Sequence, residues 1–532
     1  MLPRPKVPLL TQESLNTLIQ QRFSDAPVSL KDIPNPSLLL NAQKAASRIV
    51  HAIKNKERIT LVGDYDVDGV TSTALTVLFF REINYPLEAI IPNRFTDGYG
   101  VSPSVLERVD ADLIITVDNG ISAIEAANIC KERGIDLIIT DHHTPSEVLP
   151  DAYTIVNPKL PNCPYPFKEI CGAQVAWLLW NLVKKELELD INMAAYLDLL
   201  ALAIVADVMP LIGINRAMVI AGLKRMGSST RPAMIIIREF LDKAIFSSED
   251  IGFQIAPRLN SAGRLEDASI ALEFLTADTI DTAAKQFDLL DQLNTLRKAT
   301  EADAAEMAIL DVNPDDKVIV CAGEDWHEGV VGIVAARLVQ KFNKPAIVLN
   351  VTKGVAKGSA RSLGDVNIYD LIASQRELLE KFGGHMMAAG LSLKVEDLSQ
   401  FKNAINQEAL KLDEDAFLPK ELIVGELKSD TINKNILDIL EAGEPYGEGN
   451  PRPNFIFNDA EVLSVKLMGA DKSHSRVTLR LHPHERQTHE LIAFRNIIEM
   501  PESRKMSCSY TINKNEFNGR VNIQLMLSRT YS

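Results

Sequence analysis

A chain of 532 residues, 46% hydrophobic and 24% charged, is too long for one ordinary core, and its length predicts three or four domains. Its net charge of −15 argues against a generic nucleic-acid coat, and no uncharged apolar run reaches the ~18 residues of a membrane span. The opening Met1-Leu-Pro-Arg-Pro has no apolar stretch behind it, so no secretory leader is expected. The scattered cysteines (Cys130, Cys163, Cys171, Cys321, Cys508) form no CxxC pair and indicate neither a zinc knuckle nor a disulfide framework. The cytoplasm is the expected compartment. The charge is uneven: residues 450–532 carry 12 Lys and Arg against 8 Asp and Glu, about +4, which leaves the rest at about −19. That basic end reads either as a polyanion-binding appendage or as ordinary surface variation.

In chain order, short apolar runs predict buried strands at Ile59–Val62, Leu87–Ile91, Leu113–Val117, Leu137–Thr140 and Tyr153–Val156. Helical stretches such as Thr71–Ile83 and Ile121–Arg133 lie between them, with Gly134 at a C-cap position. This alternation predicts a parallel α/β sheet, covered by an apolar helical stretch at Ala173–Val205. Thr279–Leu310 has no Pro or Gly and spaces Leu289, Leu290, Leu293 and Leu296 as a helix does, which predicts a long bridge between domains. A second, smaller α/β unit follows: strand Val318–Cys321, helix Val330–Phe342, strand Ala346–Val351. Glu441–Pro453 reads as a linker. Alternating strands at Arg476–Leu481, Glu490–Arg495 and Val521–Leu527 then predict a β-barrel of OB-fold size. No internal repeat or low-complexity tract interrupts this order.

The chemistry gathers where the first strands end. Ile59–Gly63 runs into Asp64-Tyr-Asp66-Val-Asp68-Gly69, Leu113–Val117 into Asp118-Asn119-Gly120, and Leu137–Thr140 into Asp141-His142-His143. Ligands of open parallel sheets bind outside the carboxyl ends of the strands, so these side chains are expected to converge on one crevice. Carboxylates that close repel unless cations neutralise them. Asp with His suits Mn²⁺, whereas Mg²⁺ favours more oxygen. Two ions sharing a carboxylate would clamp a phosphoryl group and activate water. The rival calcium loop fails at its twelfth position, Leu75, where a bidentate Glu is needed. A solvated acidic turn would account for the Asp triplet alone, though not for matching groups on neighbouring strands.

Asp141-His142-His143 resembles the signature of the DHH phosphoesterase superfamily, and Gly63–Gly69 (G-D-Y-D-V-D-G) resembles the first motif of its RecJ branch. Related phosphatases begin that motif with His where this chain has Asp64. The resemblance continues through Asp118–Gly120, Asp207 in V-A-D-V-M-P, Ala256–Leu265, Leu293–Lys298, Trp326–Gly332 and Gly383–Gly390 (G-G-H-M-M-A-A-G). It implies a DHH catalytic domain at 46–225 after an N-terminal extension at 1–45. A helical connector at 226–312, a DHHA1 substrate-binding domain at 313–415 and an OB-fold domain at 416–532 would follow. It implies two divalent ions, Mn²⁺ preferred or Mg²⁺, on Asp66, Asp68, Asp118, His142 and Asp207, with Asp118 bridging. Asp64 would be a ligand or a base behind one. His143 would stabilise charge on the scissile phosphate, and Asp141 would orient the histidines.

Gly358-Ser359-Ala360-Arg361-Ser362 and Gly383-Gly384-His385 read independently as a pair of phosphate-binding loops, with a tight turn as the alternative. Arg94, Arg258, Asn260 and Arg264 are further candidates for backbone contacts. In the C-terminal module Phe455, Phe457, Phe494, Tyr510 and Phe517 accompany Arg476, Arg480, Arg495 and Arg520. Stacking rings in a basic groove hold single strands, but rings also fill barrels. The resemblance implies a monomeric 5′→3′ exonuclease that releases 5′-mononucleotides from single-stranded DNA in repair and recombination. Single-strand-binding protein and a helicase are the implied partners. A phosphatase for small nucleotides and a non-catalytic DNA scaffold are the alternatives. The long helix and β module count against the first, the full ligand set against the second.

Overall fold

The structure is a computed structural model that describes residues 6–23, 29–469, 472–481, 486–494, 496–517 and 520–531. Two short elements open the described chain, strand β1 (Leu9–Leu10) and the Thr11-capped helix Gln12–Gln21. They belong to the far end of the molecule, as described below. The sheet that follows is wholly parallel. Its strands are β2 (Ile59–Val62), β3 (Glu88–Ile90), β4 (Leu113–Val117), β5 (Asp136–Thr140) and β6 (Thr154–Val156), in the order β3-β2-β4-β5-β6. The β2 and β4 strands are buried along their whole length, which is why they read as continuous apolar runs instead of alternating ones.

The expected helical stretch over Ala173–Val205 comprises two helices, Gly172–Glu186 and Leu197–Ala206. They are separated by Glu188 in a left-handed conformation and by a single tight turn at Met193–Tyr196, capped by the Asn192 side chain. Both pack on helix Val67–Glu82. One hydrophobic core runs continuously from Leu39 to Leu293. The expected connector therefore shares the core of the catalytic domain up to the middle of the long helix. The boundaries at 45/46 and 225/226 fall inside helices Ala42–Asn55 and Gly213–Ser228.

The long helix spans Ile280–Leu310, 31 residues, or about 46 Å at 1.5 Å per residue. Ala283, Phe287, Leu290 and Leu293 are buried in the first core, and Ala304, Ala305 and Ala308 in that of the next domain. It is a bridge built of two apolar ends. Beyond it lies a mixed sheet of β7 (Ile319–Glu324), β8 (Ala346–Thr352), β9 (Val355–Arg361), β10 (Lys381–His385) and β11 (Ala388–Lys394), in the order β10-β11-β9-β8-β7. Here the reading of the glycine-rich segments as loops is corrected. Gly358–Arg361 is the end of β9, Gly383–His385 is β10, and Ser359 pairs with Gly390 in antiparallel register. At Gly358 and Gly384 the missing side chain lets neighbouring backbones close up; a Cβ on Gly384 would stand 2.5 Å from the Ala389 Cα.

The C-terminal module comprises β12 (Ile423–Leu427), β13 (Asn454–Met468), β14 (His474–Arg480), β15 (His489–Ala493), β16 (Lys505–Phe517) and β17 (Arg520–Tyr531). The last five close into a barrel through the β13–β16 pairing. β12 extends the sheet and pairs in parallel with β1. Leu10, Leu15 and Ile19 are buried in the same core as the barrel. The Leu9–Gln21 part of the N-terminal extension is thus part of the C-terminal module, whereas the extension from Leu30 onward packs on the first core. The expected linker is also bound down: Arg452 reaches Glu249 at 3.0 Å, and the Leu211 amide donates to the Glu448 carbonyl at 2.7 Å. No helix among the described residues is long and apolar enough to cross a membrane.

Candidate active site

Strand order reverses direction between β2 and β4, and the crevice at such a switch point is where open α/β sheets bind ligands. Asp64 follows β2 there, Asp118 follows β4, and Asp141-His142-His143 follows β5. Asp66 caps helix Val67–Glu82, its Oδ1 accepting from the Gly69 amide at 3.0 Å. Asp68, two residues on, accepts from the amides of Gly172 at 2.5 Å and Ala173 at 2.9 Å, the first residues of helix Gly172–Glu186. The positive end of that helix therefore fixes the carboxylate. Gly172 permits the approach, because a Cβ there would stand 2.5 Å from the Asp118 Cβ.

Asp118 is itself left-handed, with φ 63°, a conformation Asp tolerates better than most residues. Asn119 enforces it: its amide nitrogen donates to the carbonyls of Val62 and Val117, and its oxygen accepts from the Val101 amide. Both carboxylate oxygens of Asp118 are buried without a hydrogen-bond partner. So are one oxygen each of Asp64 and Asp207 and both ring nitrogens of His142. His142 Nε2 stands 3.2 Å from Asp118, 3.5 Å from Asp207 and 3.7 Å from Asp68.

Three groups of side chains each bring their ligand atoms within 4.8 Å of one another: Asp64, Asp66 and Asp118; Asp68, His142 and Asp207; Asp118, His142 and His143. Asp118 and His142 each occur in two of them. Burial and the neighbouring carboxylates hold Asp64 and Asp118 well above the usual range and raise Asp66 too. The same causes push Asp207 up to about 9. Burial lowers His142 below the ordinary imidazole value and keeps its nitrogens available as ligands. Buried, unpartnered carboxylates beside a neutral imidazole are a fitting donor set for divalent cations.

Asp141 differs from the other acids. Its Oδ1 meets His143 Nδ1 at 2.7 Å and accepts from the His142 and His143 amides, while Oδ2 accepts from the Ile121 amide. Burial would raise it, but His143 and these amides hold it below the usual range. Burial in turn pulls His143 down, yet the Asp141 bond and the surrounding carboxylates win and push it up to about 9. The His143 side chain is 46% exposed and keeps its Nε2 for the crevice.

The aromatic ring of Tyr99 lies 6.2 Å from that of His143, and Tyr99 and Tyr65 also line a cavity of about 420 Å³. Arg94, Arg264, Ser359 and Arg361 lie in its wall. Arg94 stacks 4.2 Å over Tyr65. Arg264 is lowered to about 10 by burial and by the nearby Arg94 and Arg297 charges, and burial lowers Arg361 as well. The one carboxylate in the wall, Glu328, is paired with Lys357 at 2.7 Å, so the three guanidinium groups present a surplus of positive charge suited to an anion. Gly383, Gly384 and His385 do not line this cavity. Arg258 is packed in the fold: it pairs with Asp291 at 2.8 Å, donates to the Gln254 carbonyl and lies over Phe240. Asn260 lines a neighbouring cavity with Arg264.

Sequence reasoning gave no role to Tyr65, Tyr99, Gly329 and Gly332. Tyr65 sits inside the first motif and the two glycines inside Trp326–Gly332, so the signal lay in segments already singled out. In the barrel, Phe455, Phe457 and Tyr510 pack against one another in the core. Phe494 is exposed. Arg476 and Arg480 pair with Glu490 and Glu461. Arg495 and the side chains of Phe517 and Arg520 lie outside the described residues.

Three family models match the chain in succession: the DHH family N-terminal domain over residues 58–204, the DHHA1 domain over 315–411 and the RecJ OB domain over 423–529. The single-stranded-DNA-specific exonuclease RecJ of Haemophilus influenzae is 34% identical over 95% of this chain and 93% of its own length. The chain belongs to the RecJ family. The RecJ of Bacillus subtilis is 36% identical over 93% of this chain, which spans 64% of that longer protein. Among solved structures, Thermus thermophilus RecJ in complex with Mn²⁺ superimposes with a TM-score of 0.83 at 27% identity, over 98% of this chain and 76% of the other. The same protein is also known in complex with Mg²⁺, with a TM-score of 0.77.

Proposed function

We propose that this chain is a metal-dependent exonuclease that digests single-stranded DNA from the 5′ end and releases 5′-mononucleotides. The observation that carries the reading is the adjacency of two compartments in one cleft: a buried carboxylate and imidazole cluster without cation partners, and an arginine-lined cavity that shares Tyr99 with it. Asp64, Asp66, Asp68, Asp118, His142 and Asp207 would hold two divalent ions, Asp118 being common to two of the ligand groups. Bound there, such ions supply charge neutralisation at the phosphodiester and a more acidic attacking water.

The chain's own groups do the rest. Asp141 engages His143 Nδ1 at 2.7 Å and favours the protonated ring, so that Nε2 would donate to a non-bridging phosphate oxygen. The bond strengthens as negative charge gathers in the transition state. Ser359 and Arg361, with Arg94 and Arg264, grip the terminal 5′-phosphate, whose second negative charge distinguishes it from an internal diester. Water oxygen bonds to the next phosphorus, and the 3′-oxygen of the end nucleotide leaves and takes a proton. The strand that remains carries a new 5′-phosphate, so the same grip serves every cycle. The supporting experiment follows strands labelled at either end with Mn²⁺ present. A 5′ label should appear at once as mononucleotide and a 3′ label only in progressively shorter strands. Early mononucleotide from the 3′ label, or internal cuts, would reverse the assignment.

A further inference from the structure

A second cavity of about 360 Å³ adjoins the first, and Arg264 stands in the wall of both. Val205 and Val208, flanking Asp207 in sequence, line it, together with Phe253, Asn260 and Arg297. The cavity thus adjoins the arginine-lined cavity through Arg264 and the carboxylate cluster through the segment that carries Asp207.

Two features of its wall set it apart from ordinary surface. Phe253 lies in a five-residue π-helical stretch, Ile251–Ile255, that leads into helix Ala256–Leu265. Ile251 and Ile255 are buried and anchor the wide turn, while Phe253 is 77% exposed. Isolated π-turns are rare and concentrate at functional sites. Val208 is 62% exposed and left-handed, with φ 54°, which a β-branched residue seldom adopts. Strain of this kind persists where the surroundings enforce it, and it gathers at ligand sites. An exposed ring beside guanidinium groups, in a groove continuous with a phosphodiester site, is the combination that holds the bases of single strands.

We propose that Phe253, backed by Val208, is the stacking platform for the base of the second or third nucleotide from the 5′ end, just beyond the scissile bond. The inference rests on the proposed function: with the terminal nucleotide held at Ser359 and Arg361 and the scissile phosphate at the carboxylates, the remaining strand leaves past Asp207 into this cavity. Every base has a flat apolar face, so the platform positions strands of any sequence.

The test uses the full-length protein with Mn²⁺ and measures release of the first nucleotide from 5′-labelled single strands. The strands are intact or carry one abasic residue at position 2, 3 or 10. The wild-type protein should lose about tenfold in kcat/KM for an abasic residue at position 2 or 3, the scale of one base–ring stack, and nothing at position 10. Phe253→Ala should lose about tenfold on intact strands and be indifferent to the abasic positions, and Phe253→Trp should restore both rate and sensitivity. If Phe253→Ala matches the wild type on intact strands, or keeps the wild-type abasic penalty, the platform is elsewhere. A wild-type protein inactive on every strand would instead overturn the proposed function, and this inference with it.

Discussion

Replacing Asp118 by Asn should make the metal-free protein more stable and the metal-loaded protein inactive. Asn keeps the shape and tolerates the left-handed φ of 63°, and the Cβ that fits against Gly172 is unchanged. What disappears is a buried carboxylate with no hydrogen-bond partner, raised by burial and by Asp68, Asp66 and Asp64 around it. Leaving a polar group buried and unsatisfied costs about 1–3 kcal/mol. Since Asn also carries polar atoms, the gain should sit near the lower end, about 1 kcal/mol. For a domain the size of the catalytic core that is a rise of about 2–4 °C in melting temperature in the presence of a chelator. Turnover with Mn²⁺ should fall by at least ~10²-fold, as on loss of a catalytic group, and Mn²⁺ should no longer raise the melting temperature as it does in the wild type. Thermal melts with chelator and with Mn²⁺, beside the nuclease assay, measure all three. An Asp118→Asn variant that turns over normally, or that gains the full Mn²⁺ stabilisation, would refute the shared-carboxylate site.

The same cluster predicts a pH dependence. In the metal-free fold Asp64, Asp66, Asp118 and Asp207 titrate above their unfolded values, Asp207 at about 9, and the raised His143 acts in the same direction, also at about 9. Groups raised on folding favour the native state at low pH and lose that contribution as pH rises through their folded values. The chelated protein should therefore melt progressively lower from about pH 5 to 9, and Mn²⁺ should flatten or invert the trend; a chelated melting temperature that climbs across this range would contradict it. His142→Ala should weaken Mn²⁺ binding in calorimetric titration, whereas His143→Ala should lower kcat and leave Mn²⁺ affinity near the wild type; equal loss of affinity in both would mean that both rings are ligands. Arg361→Ala should remove most of the advantage of 5′-phosphorylated over 5′-hydroxyl strands, by about 1.5–3 kcal/mol for a charged hydrogen bond; an unchanged preference would move the end-reading group to Arg94 or Arg264.

The parallel sheet was legible because burial on both faces leaves an unmistakable mark. β2 and β4 are apolar at every position but one threonine each and buried throughout, so their limits and the acids at their ends could be read directly. The long helix was equally legible, since a 31-residue stretch without Pro or Gly has few other fates. The N-terminal strand and helix were not. Leu10, Leu15 and Ile19 find their core against Leu427 and Ile436, some four hundred residues later, and nothing local in Leu9–Gln21 names that partner. The Glu441–Pro453 segment misled for a related reason. Its Gly and Pro content specifies turns, but turns are also how a chain docks when carbonyls such as that of Glu448 have donors waiting at Leu211.

The site shows which kinds of inference survive an error in secondary structure. Gly358–Arg361 and Gly383–His385 were read as loops because glycine most often marks a turn. In the fold they are strands, and small residues serve strand-to-strand approach. Arg361 nonetheless lines the arginine cavity, since a side chain at the end of a strand can reach a cleft as well as one on a loop. Gly383 and His385, chosen for their backbone, do not line it. Arg258 shows a different ambiguity: a guanidinium in a motif can pair inside the fold, as this one does with Asp291, or meet a phosphate, and the sequence alone does not distinguish the two. Residues chosen for a chemistry that burial makes expensive, such as Asp118 and His142, were placed together, because buried carboxylates cost free energy that a proton or a bound cation must offset, and such groups gather at functional sites.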